Sequence, residues 1–331
     1  MPATDLTVGV AASSVAPTGT TPSPGGAPTR APAMSGSRKA ARRRETLVEG
    51  ALLAPSLALV VVFVLVPIVI AIYLSLTNWD GFTFPPKFIG ARNYLQLASD
   101  PDALHAAGVT AIITVVGALG CNVLGLGVAL LLNGNSRFKS FMRVLVFYPY
   151  VIGPVILGFL WSSILGTNGA INALVTSSGG STLPFLSNPS WALASLIAVI
   201  IWSSFGVNVV LYLAGLQTIP ESLLEAALID GATPWQTFWR VKLPLLAPTV
   251  TVNVVLVVVG LLRVYELILA LTAGGPAGST QSVVYNILTT SFNKSQLGYG
   301  AAQSVVLMIV IVIVTISIIS LRRRSEQAVA A

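Results

Sequence analysis

The sequence predicts an all-α membrane protein that crosses the bilayer six times. Only 9% of its 331 residues are charged and 54% are hydrophobic, whereas soluble domains carry about 25% charged residues. Crossing the hydrocarbon core takes about 20 apolar residues in a helix, and six stretches approach or exceed that length. A chain with so few charges cannot cover a water-facing surface, so we expect most side chains to contact lipid or one another.

The apolar segments are separated by loops that are too short to form a further domain. The segments cover residues 51–77, 106–132, 144–165, 191–216, 247–272 and 301–321. Chains below about 40 residues rarely fold without a disulfide, a metal or a partner, and no loop between the segments reaches that length. We therefore expect a single transmembrane domain over residues 45–323.

The two ends of the chain carry no apolar segment. Residues 1–36 are rich in Ala, Pro, Thr, Ser and Gly, so they cannot bury enough surface to offset the entropy of ordering. A strongly basic stretch, residues 38–44, follows. We expect residues 1–44 to form a disordered cytoplasmic tail with a basic flank, and residues 324–331 to form a cytoplasmic C-terminal tail.

Clusters of lysine and arginine fall on one side of the membrane if the six helices alternate, and the first loop on the other side has Lys87 and Arg92 against Asp80, Asp100 and Asp102. Basic clusters precede the first segment, separate the second from the third and the fourth from the fifth, and follow the sixth: Arg137, Lys139, Arg143, Arg240, Lys242 and 322–324. On the opposite side, residues 166–190 carry no charge and residues 273–298 carry only Lys294. The positive-inside rule then places both termini in the cytoplasm.

The loop over about residues 217–246 predicts two short helices joined by a turn. Two residue pairs have the spacing of a capping box: Thr218/Glu221 and Thr233/Gln236. Pro220 and Pro234 stand in the first turns of the predicted helices, where the missing N–H costs little. Gly231 lies between them, at the point where the backbone must turn tightly and a partner can approach.

The first of these short helices is apolar at helical spacing and acidic elsewhere. The apolar positions are Leu223, Leu224, Ala227 and Leu228, and the acidic ones are Glu221, Glu225 and Asp230. A helix that lies on a membrane surface usually carries basic residues toward anionic lipid. The acidity therefore favours a protein partner, which the small residues Ala226 and Ala227 would let approach closely.

One pattern in this loop resembles a known family. The run Glu225-Ala226-Ala227-x-x-x-Gly231, eleven further residues and then Leu243-Pro244 is similar to the EAA loop of binding-protein-dependent ATP-binding-cassette (ABC) importers, with Val241 where the family often has Ile. Further features resemble sugar-importer permeases of the maltose- and glycerol-phosphate-transporter type, so that the match covers roughly residues 50–323: Pro67, Leu74–Trp79, Gly90-x-x-Asn93-Tyr94, Thr272–Thr280 and Tyr299–Ala302. Residues 1–44 have no counterpart in that pattern.

The resemblance implies the transmembrane domain of a type I ABC importer in a bacterial plasma membrane. It also implies a second, homologous permease subunit, two ATPase subunits, and an extracytoplasmic protein that delivers a sugar, most simply an oligosaccharide. ATP and Mg²⁺ would bind to the ATPase, and this chain would bind no cofactor. The residues implied to grip the ATPase are Glu225, Ala226, Ala227, Asp230, Gly231, Leu243 and Pro244.

Two charges, Arg263 and Glu266, lie inside the fifth apolar segment. A lone charge at mid-membrane costs at least about 2.5–3.5 kcal/mol on insertion scales, and a spacing of three places both on one side of a helix. They could pair with each other, line the solute path, or pair with the partner permease. Tyr265 and Tyr212 could add polar edges for a sugar, although aromatic residues in membrane helices more often serve packing.

Other functions are less consistent with the sequence. The chain has no Gly-Lys dipeptide and hence no Walker A loop, and no nucleophile elbow or zinc motif that would indicate a membrane enzyme. The charge of +7 lies in short clusters beside apolar runs, which argues against nucleic-acid binding. A secondary transporter predicts inverted repeats and helices broken near mid-membrane, and the sequence shows neither pattern. The same importer could also carry a glycerol-phosphate-type solute or a polyol.

Overall fold

The fold was described from a computed structural model, which describes residues 53–330 and, for side chains, residues up to Arg322. These residues form helices, and the one strand-like pairing among them is an antiparallel bridge between Thr77 and Phe88. The helices are α1 (Leu53–Ser75), α2 (Arg92–Ser99), α3 (Pro101–Leu132), α4 (Arg137–Val151), α5 (Pro154–Leu165), α6 (Ala170–Ser177), α7 (Pro189–Gln217), α8 (Glu221–Ile229), α9 (Pro234–Leu245), α10 (Ala247–Leu262), α11 (Glu266–Leu271), α12 (Val283–Leu288) and α13 (Leu297–Ala330).

The chain divides into two units between Val61 and Val62, within α1, and the packing described below is that of the second unit. The tail predicted over residues 1–44 lies outside the described residues, so its disorder stays a prediction. At the other end, the backbone of α13 remains helical to Ala330. The expected C-terminal tail at 324–331 is therefore not marked by the end of a helix.

Six membrane crossings are consistent with the described helices, but two predicted segments are interrupted. Five helical stretches are long and apolar enough to cross a membrane, and the pair α9 and α10, bent by 68°, raises the number to six if it forms one span. The prediction of unbroken segments is wrong in two places. Residues 144–165 are divided at Ile152–Gly153 between α4 and α5, and residues 247–272 are divided at residues 263–265 between α10 and α11.

The two longest inner helices begin at side-chain caps. Asp100 accepts a hydrogen bond from the Asp102 amide at 2.9 Å, and Pro101 occupies the first position of α3. Asn188 caps α7 in the same way, with Pro189 at its first position. Proline is tolerated there because the first N–H groups of a helix have no intrahelical partner. The sequence thus fixes where α3 and α7 begin.

The core forms where α3 and α7 pack together and contact α10 and α11. Ile113, Leu196 and Ile268 are fully buried in one apolar cluster. Small residues allow the helices to approach closely, as expected in membranes. A Cβ at Gly206 of α7 would lie 2.3 Å from the Val146 carbonyl oxygen of α4, so glycine is required at that crossing.

A buried hydrogen-bonded clamp holds the end of α1 against α2. The Asn93 side-chain amide donates to the carbonyl oxygens of Ser75 and Thr77, each at 2.8 Å. The hydroxyls of Ser75 and Tyr94 lie 2.6 Å apart. The Leu74–Trp79 and Asn93-Tyr94 stretches noted in the sequence therefore meet in space, and their polar side chains serve to terminate a membrane helix.

Candidate functional site

The loop between α7 and α10 consists of two short helices, as predicted, but its first helix begins differently. The Thr218 hydroxyl donates to the Gly215 carbonyl at 2.8 Å and closes α7. Helix α8 begins at Glu221 after Pro220, without a side-chain cap. The predicted Thr218/Glu221 capping box is therefore wrong, because the Thr218 side chain already bonds to the preceding helix.

The turn predicted at Gly231 is confirmed. Gly231 has φ of +72°, a conformation that favours glycine. Its N–H donates to the Leu228 carbonyl at 3.1 Å, and the Ala232 N–H donates to the Ala227 carbonyl at 3.0 Å. This pair of bonds is a Schellman motif, so the end of α8 is fixed by the backbone itself.

The second short helix, α9, begins at the predicted capping box. The Thr233 amide donates to the Gln236 side-chain oxygen at 2.8 Å, and the Gln236 amide donates back to the Thr233 hydroxyl. Near its end, the Leu243 N–H bonds to the Phe238 carbonyl five residues earlier. This wider turn lies directly before Pro244, which lacks the N–H that a regular helix would use.

The tip of the loop exposes a mixed acidic and apolar surface. Glu225, Ala226 and Asp230 are exposed, as are the side chains of Leu228 (76%) and Ile229 (85%). Ala227 is instead buried, so of the two predicted small residues only Ala226 lies on the outer surface. Leu224 packs against an inner cluster that contains Tyr212 and Leu246. One side of α8 thus anchors the loop and the other is open.

Arg263 and Glu266 do not lie on one face of a helix and do not form an ion pair. Arg263 directly follows the end of α10 and Glu266 begins α11, with the backbone unwound at residues 263–265. The one ion pair among the described side chains joins Lys294 and Asp102, at 3.4 Å. The prediction of a shared helical face is wrong because the chain leaves the helical conformation at residues 263–265.

Both charges nevertheless line the same cavity of about 450 Å³. Its polar lining residues, apart from these two charges, are Tyr150, Ser203, Ser204 and Asn208. Asn208 is buried, and its side-chain oxygen has no hydrogen-bond partner among the described residues. These four residues were missed in the sequence, although a polar amide inside an apolar segment, such as Asn208, is itself a signal of a functional site.

The two tyrosines predicted near the path occupy other places. Tyr212 is buried, and its hydroxyl donates to the Asn122 side-chain oxygen at 2.7 Å, joining α7 to α3. Tyr265 stacks at a tilt with Tyr285, with ring centroids 6.1 Å apart. Neither residue lines the cavity that contains Arg263 and Glu266. Among the described residues, no group of three His, Cys, Asp or Glu side chains is placed to hold a metal ion.

Comparison with known families places the chain in a transport class. A family model described as "binding-protein-dependent transport system inner membrane component" matches residues 122–329. The chain belongs to this family, and it is therefore a multi-pass permease component of an ABC importer. The resemblance stated from the EAA-like loop is confirmed.

Curated relatives align over most of their length. A probable permease for starch degradation products from Thermoanaerobacterium thermosulfurigenes is 32% identical, covering 83% of this chain and 93% of the relative. An sn-glycerol-3-phosphate transport permease from Brucella abortus is 36% identical, covering 80% and 90%. A trehalose/maltose transport permease from Thermococcus litoralis is 31% identical, covering 84% and 94%.

Solved structures confirm the architecture. A chain of a bacterial ABC transporter involved in the import of alginate superposes with a TM-score of 0.75 at 23% identity, covering 87% of this chain and 99% of that one. The same transporter in complex with an alginate pentasaccharide-bound periplasmic protein gives a TM-score of 0.74 at 22% identity, covering 86% and 96%. At this identity the likeness defines the fold: the transmembrane domain of an ABC importer.

Proposed function

We propose that the protein is one of two non-identical permease subunits of an ATP-driven importer and forms half of the path by which a sugar crosses the membrane. The observation that carries the proposal is the tip of the α8–α9 loop, where a backbone-fixed turn presents exposed acidic and apolar side chains. The match to the family of binding-protein-dependent permeases supports this proposal. The loop is the part that couples this chain to an ATPase.

Exposed apolar side chains on an acidic helix indicate a protein partner. Leu228 and Ile229 offer apolar surface that a partner can cover, and Glu225 and Asp230 beside them offer charge for orientation. Leu224 and Ala227 hold the opposite side of α8 against the chain's own helices. A displacement of the tip is therefore transmitted to the membrane helices, because Leu224 anchors α8 in the apolar cluster that contains Tyr212 and Leu246.

The other proposed partners are those expected for a permease of a binding-protein-dependent importer. We infer that two separate ATPase subunits bind ATP and Mg²⁺, that this chain binds no cofactor, and that a homologous permease completes the pore. The Lys and Arg distribution supports a cytoplasmic position for both termini and for the α8–α9 loop. An extracytoplasmic solute-binding protein would deliver the solute on the opposite side, as the alginate transporter's complex with a periplasmic protein suggests.

An uncharged oligosaccharide is the solute that best fits the lining of the cavity containing Arg263 and Glu266. The cavity between α7 and α10 has one positive and one negative charge, Arg263 and Glu266, besides hydroxyl and amide groups. Such a lining can donate to and accept from sugar hydroxyls, whereas a phosphate ester would meet the Glu266 carboxylate. Relatives named for starch degradation products and for trehalose and maltose agree with this choice. Because the Brucella relative is named for sn-glycerol 3-phosphate, that solute is the second candidate.

Cross-linking tests the coupling role. A cysteine at Leu228 should link to the ATPase subunit in the purified complex when a short bifunctional thiol reagent reacts with an ATPase variant carrying a surface cysteine. The same cysteine at Ser178, in the loop predicted to be extracytoplasmic, is the matched control and should not link. The native Cys121 is fully buried and gives little background. Linking from Ser178 but not from Leu228 would refute the coupling assignment.

Uptake into proteoliposomes tests the solute. With its binding protein present, the wild-type importer should take up a maltodextrin or trehalose in preference to sn-glycerol 3-phosphate. Asn208→Ala should raise KM about tenfold, since a lost hydrogen bond to a buried group costs on the order of 1–3 kcal/mol. Thr251→Val is the control, because that hydroxyl bonds within α10 to Ala247. Preference for sn-glycerol 3-phosphate would select the second candidate.

A further inference from the structure

A second polar cavity lies at the end of α1, away from the loop proposed to bind the ATPase. It has a volume of about 360 Å³, and its lining includes Trp79, Lys87, Arg92, Gln96 and Gln296. None of these residues lines the cavity that contains Arg263. The proposed transport function therefore leaves this cavity unexplained.

The walls of the cavity are fixed by backbone hydrogen bonds. The Asn78 amide donates to the Lys87 carbonyl at 3.1 Å, so the two ends of the loop after α1 are paired. The Gly298 amide donates to the Trp79 carbonyl at 2.8 Å. A Cβ at Gly298 would lie 2.2 Å from the Thr77 carbonyl oxygen, so the start of α13 sits directly against this wall. The lining residues are thus held in place before any ligand binds.

The cavity offers hydrogen-bond donors and unpaired positive charge. The Lys87 ammonium and the Arg92 guanidinium have no hydrogen bond or ion pair with any residue that the structure describes. The Trp79 indole N–H is buried and also lacks a partner there. An ammonium, a guanidinium and an indole N–H only donate hydrogen bonds. This combination matches an anion with several acceptor oxygens, of which phosphate is the common biological example.

The acidic groups near the cavity are bound to other partners. Asp100 accepts from the Tyr299 hydroxyl at 2.6 Å, and Asp102 pairs with Lys294. Asp80 accepts from the amides of Thr83 and Phe82, and these bonds lower the pKa of Asp80 to about 2. None of these carboxylates is hydrogen-bonded to Lys87 or Arg92. Their positive charge remains available to a ligand.

The position of the cavity points to the headgroup region of the membrane. The described part of α1, Leu53–Ser75, has 23 residues, so it is about 34 Å long at about 1.5 Å per residue, enough to cross a hydrocarbon core of about 30 Å. The cavity begins a few residues beyond Ser75. The loop beside it exposes Phe82 (85%) and Phe84 (84%). Large exposed apolar side chains of this kind are candidates for contact with a membrane.

We propose that this cavity binds the phosphate of an anionic phospholipid headgroup in the outer leaflet. Lys87 and Arg92 contact the phosphate oxygens, while Phe82 and Phe84 lie among the acyl chains nearby. Asp80 shapes the loop that carries these two phenylalanines through its bonds to Phe82 and Thr83. The site is independent of the proposed transport function, since it involves neither the coupling loop nor the Arg263 cavity.

Thermal unfolding of the purified, assembled importer tests the proposal. Short-chain phosphatidylglycerol, added below its critical micelle concentration, should raise the melting temperature of the wild-type complex. Lys87→Gln and Arg92→Gln should each reduce that rise by more than half. Lys294→Gln is the matched control: it removes one positive charge from the same side of the protein outside this cavity, and it should leave the rise unchanged.

Three results would overturn the proposal. Inorganic phosphate that raises the melting temperature as much as the lipid would identify a site for free anions. An undiminished lipid effect in both cavity variants would place the lipid elsewhere. Loss of stimulation by the solute-binding protein, with the lipid effect intact, would make the cavity a protein contact. If a glutamine variant does not assemble, Arg92→Lys, which keeps the charge, should restore both assembly and the lipid effect.

Discussion

Gly231 shows how one residue defines the proposed coupling loop. Its positive φ ends α8, and a Cβ built there would meet no atom within 4 Å. In the isolated chain a side chain at this position would therefore cost backbone strain rather than a steric clash. Any further cost would come from a partner that approaches the turn.

Replacing Gly231 should weaken coupling in proportion to the strain. Leucine in the left-handed region costs about 1–2 kcal/mol, so Gly231→Leu should lower solute-stimulated ATP hydrolysis of the reconstituted importer several-fold. Gly231→Asn should have a smaller effect, because asparagine tolerates this conformation. Gly108→Ala, in α3 with no neighbour within 4 Å, is the control. Wild-type hydrolysis by the leucine variant would contradict the prediction.

Tyr212 should prove to be a packing residue. Its hydroxyl bonds to Asn122 inside the contact between α3 and α7, and one such bond contributes about 1 kcal/mol. We expect Tyr212→Phe to lower the melting temperature of the purified complex by a few degrees and to leave the KM for solute uptake unchanged. A raised KM with unchanged stability would instead place this tyrosine on the solute path.

The apolar pattern of the sequence predicted which helices form better than it predicted where a helix is interrupted. The predicted segments 106–132 and 191–216 match α3 and α7 to within about five residues, because both are long apolar runs without a charge. The caps Asp100 and Asn188, which set where these helices begin, were not identified from the sequence. The break at residues 263–265 was not predicted, since apolar content does not reveal where a helix unwinds. Within this break, the Val264 carbonyl oxygen accepts a hydrogen bond from the Ser282 hydroxyl at 2.8 Å. Ser282 is distant from Val264 in the sequence, so a pattern of neighbouring residues could not predict this hydrogen bond.

This break also changes one argument about function. Broken helices are among the features that a secondary transporter predicts, and their apparent absence from the sequence counted against that class. The structure has two interruptions, at Ile152–Gly153 and at residues 263–265, so helix continuity does not separate the two classes. The family match over residues 122–329 does separate them. The EAA-like pattern was therefore the decisive signal in the sequence, because it reports a surface that helix packing alone does not require.

The crossing of α4 and α7 should tolerate no side chain at Gly206. Gly→Ala inside a helix usually stabilises by about 0.5–1 kcal/mol, and Gly127→Ala, with no neighbour within 4 Å, should behave so. Gly206→Ala would press on the Val146 carbonyl and should destabilise by about 1–3 kcal/mol. Thermal unfolding of both variants in the same detergent measures the difference. Equal melting temperatures would show that the two helices can separate at little cost.

Over the whole molecule, the charge distribution predicts the orientation of every loop. The loop that follows α5 and contains Ser178 is free of charge, whereas the loops around Arg137 and Arg240 are basic. Buried hydrogen bonds order the first of these loops: the Asn172 side chain donates to the Gly166 and Leu183 carbonyls. The loop therefore has a defined structure without needing charge.

Labelling from outside the cell tests this orientation. Cysteines placed at Ser178 and at Lys294 should react with an impermeant thiol reagent in intact cells. A cysteine at Leu228 should react only after lysis or when the membrane is made permeable. Cys121 is buried, so the unmodified protein should stay unlabelled and serves as the control. Reaction of Leu228→Cys in intact cells would reverse the topology.

The exposed apolar side chains at the tip of the α8–α9 loop should also affect the half-life of the protein in the cell. Without the ATPase that we propose as its partner, the side chains of Leu228, Ile229 and Trp235 stay uncovered, and apolar surface of this kind attracts chaperones and proteases and promotes aggregation. The permease should consequently have a short half-life when synthesised alone and a long one when co-synthesised with its ATPase, as a pulse–chase experiment would measure. The surface that binds the partner would thus also expose an unassembled permease to proteolysis. The ratio of permease to ATPase in the cell would then depend on degradation of the unassembled subunit as well as on the rates of synthesis.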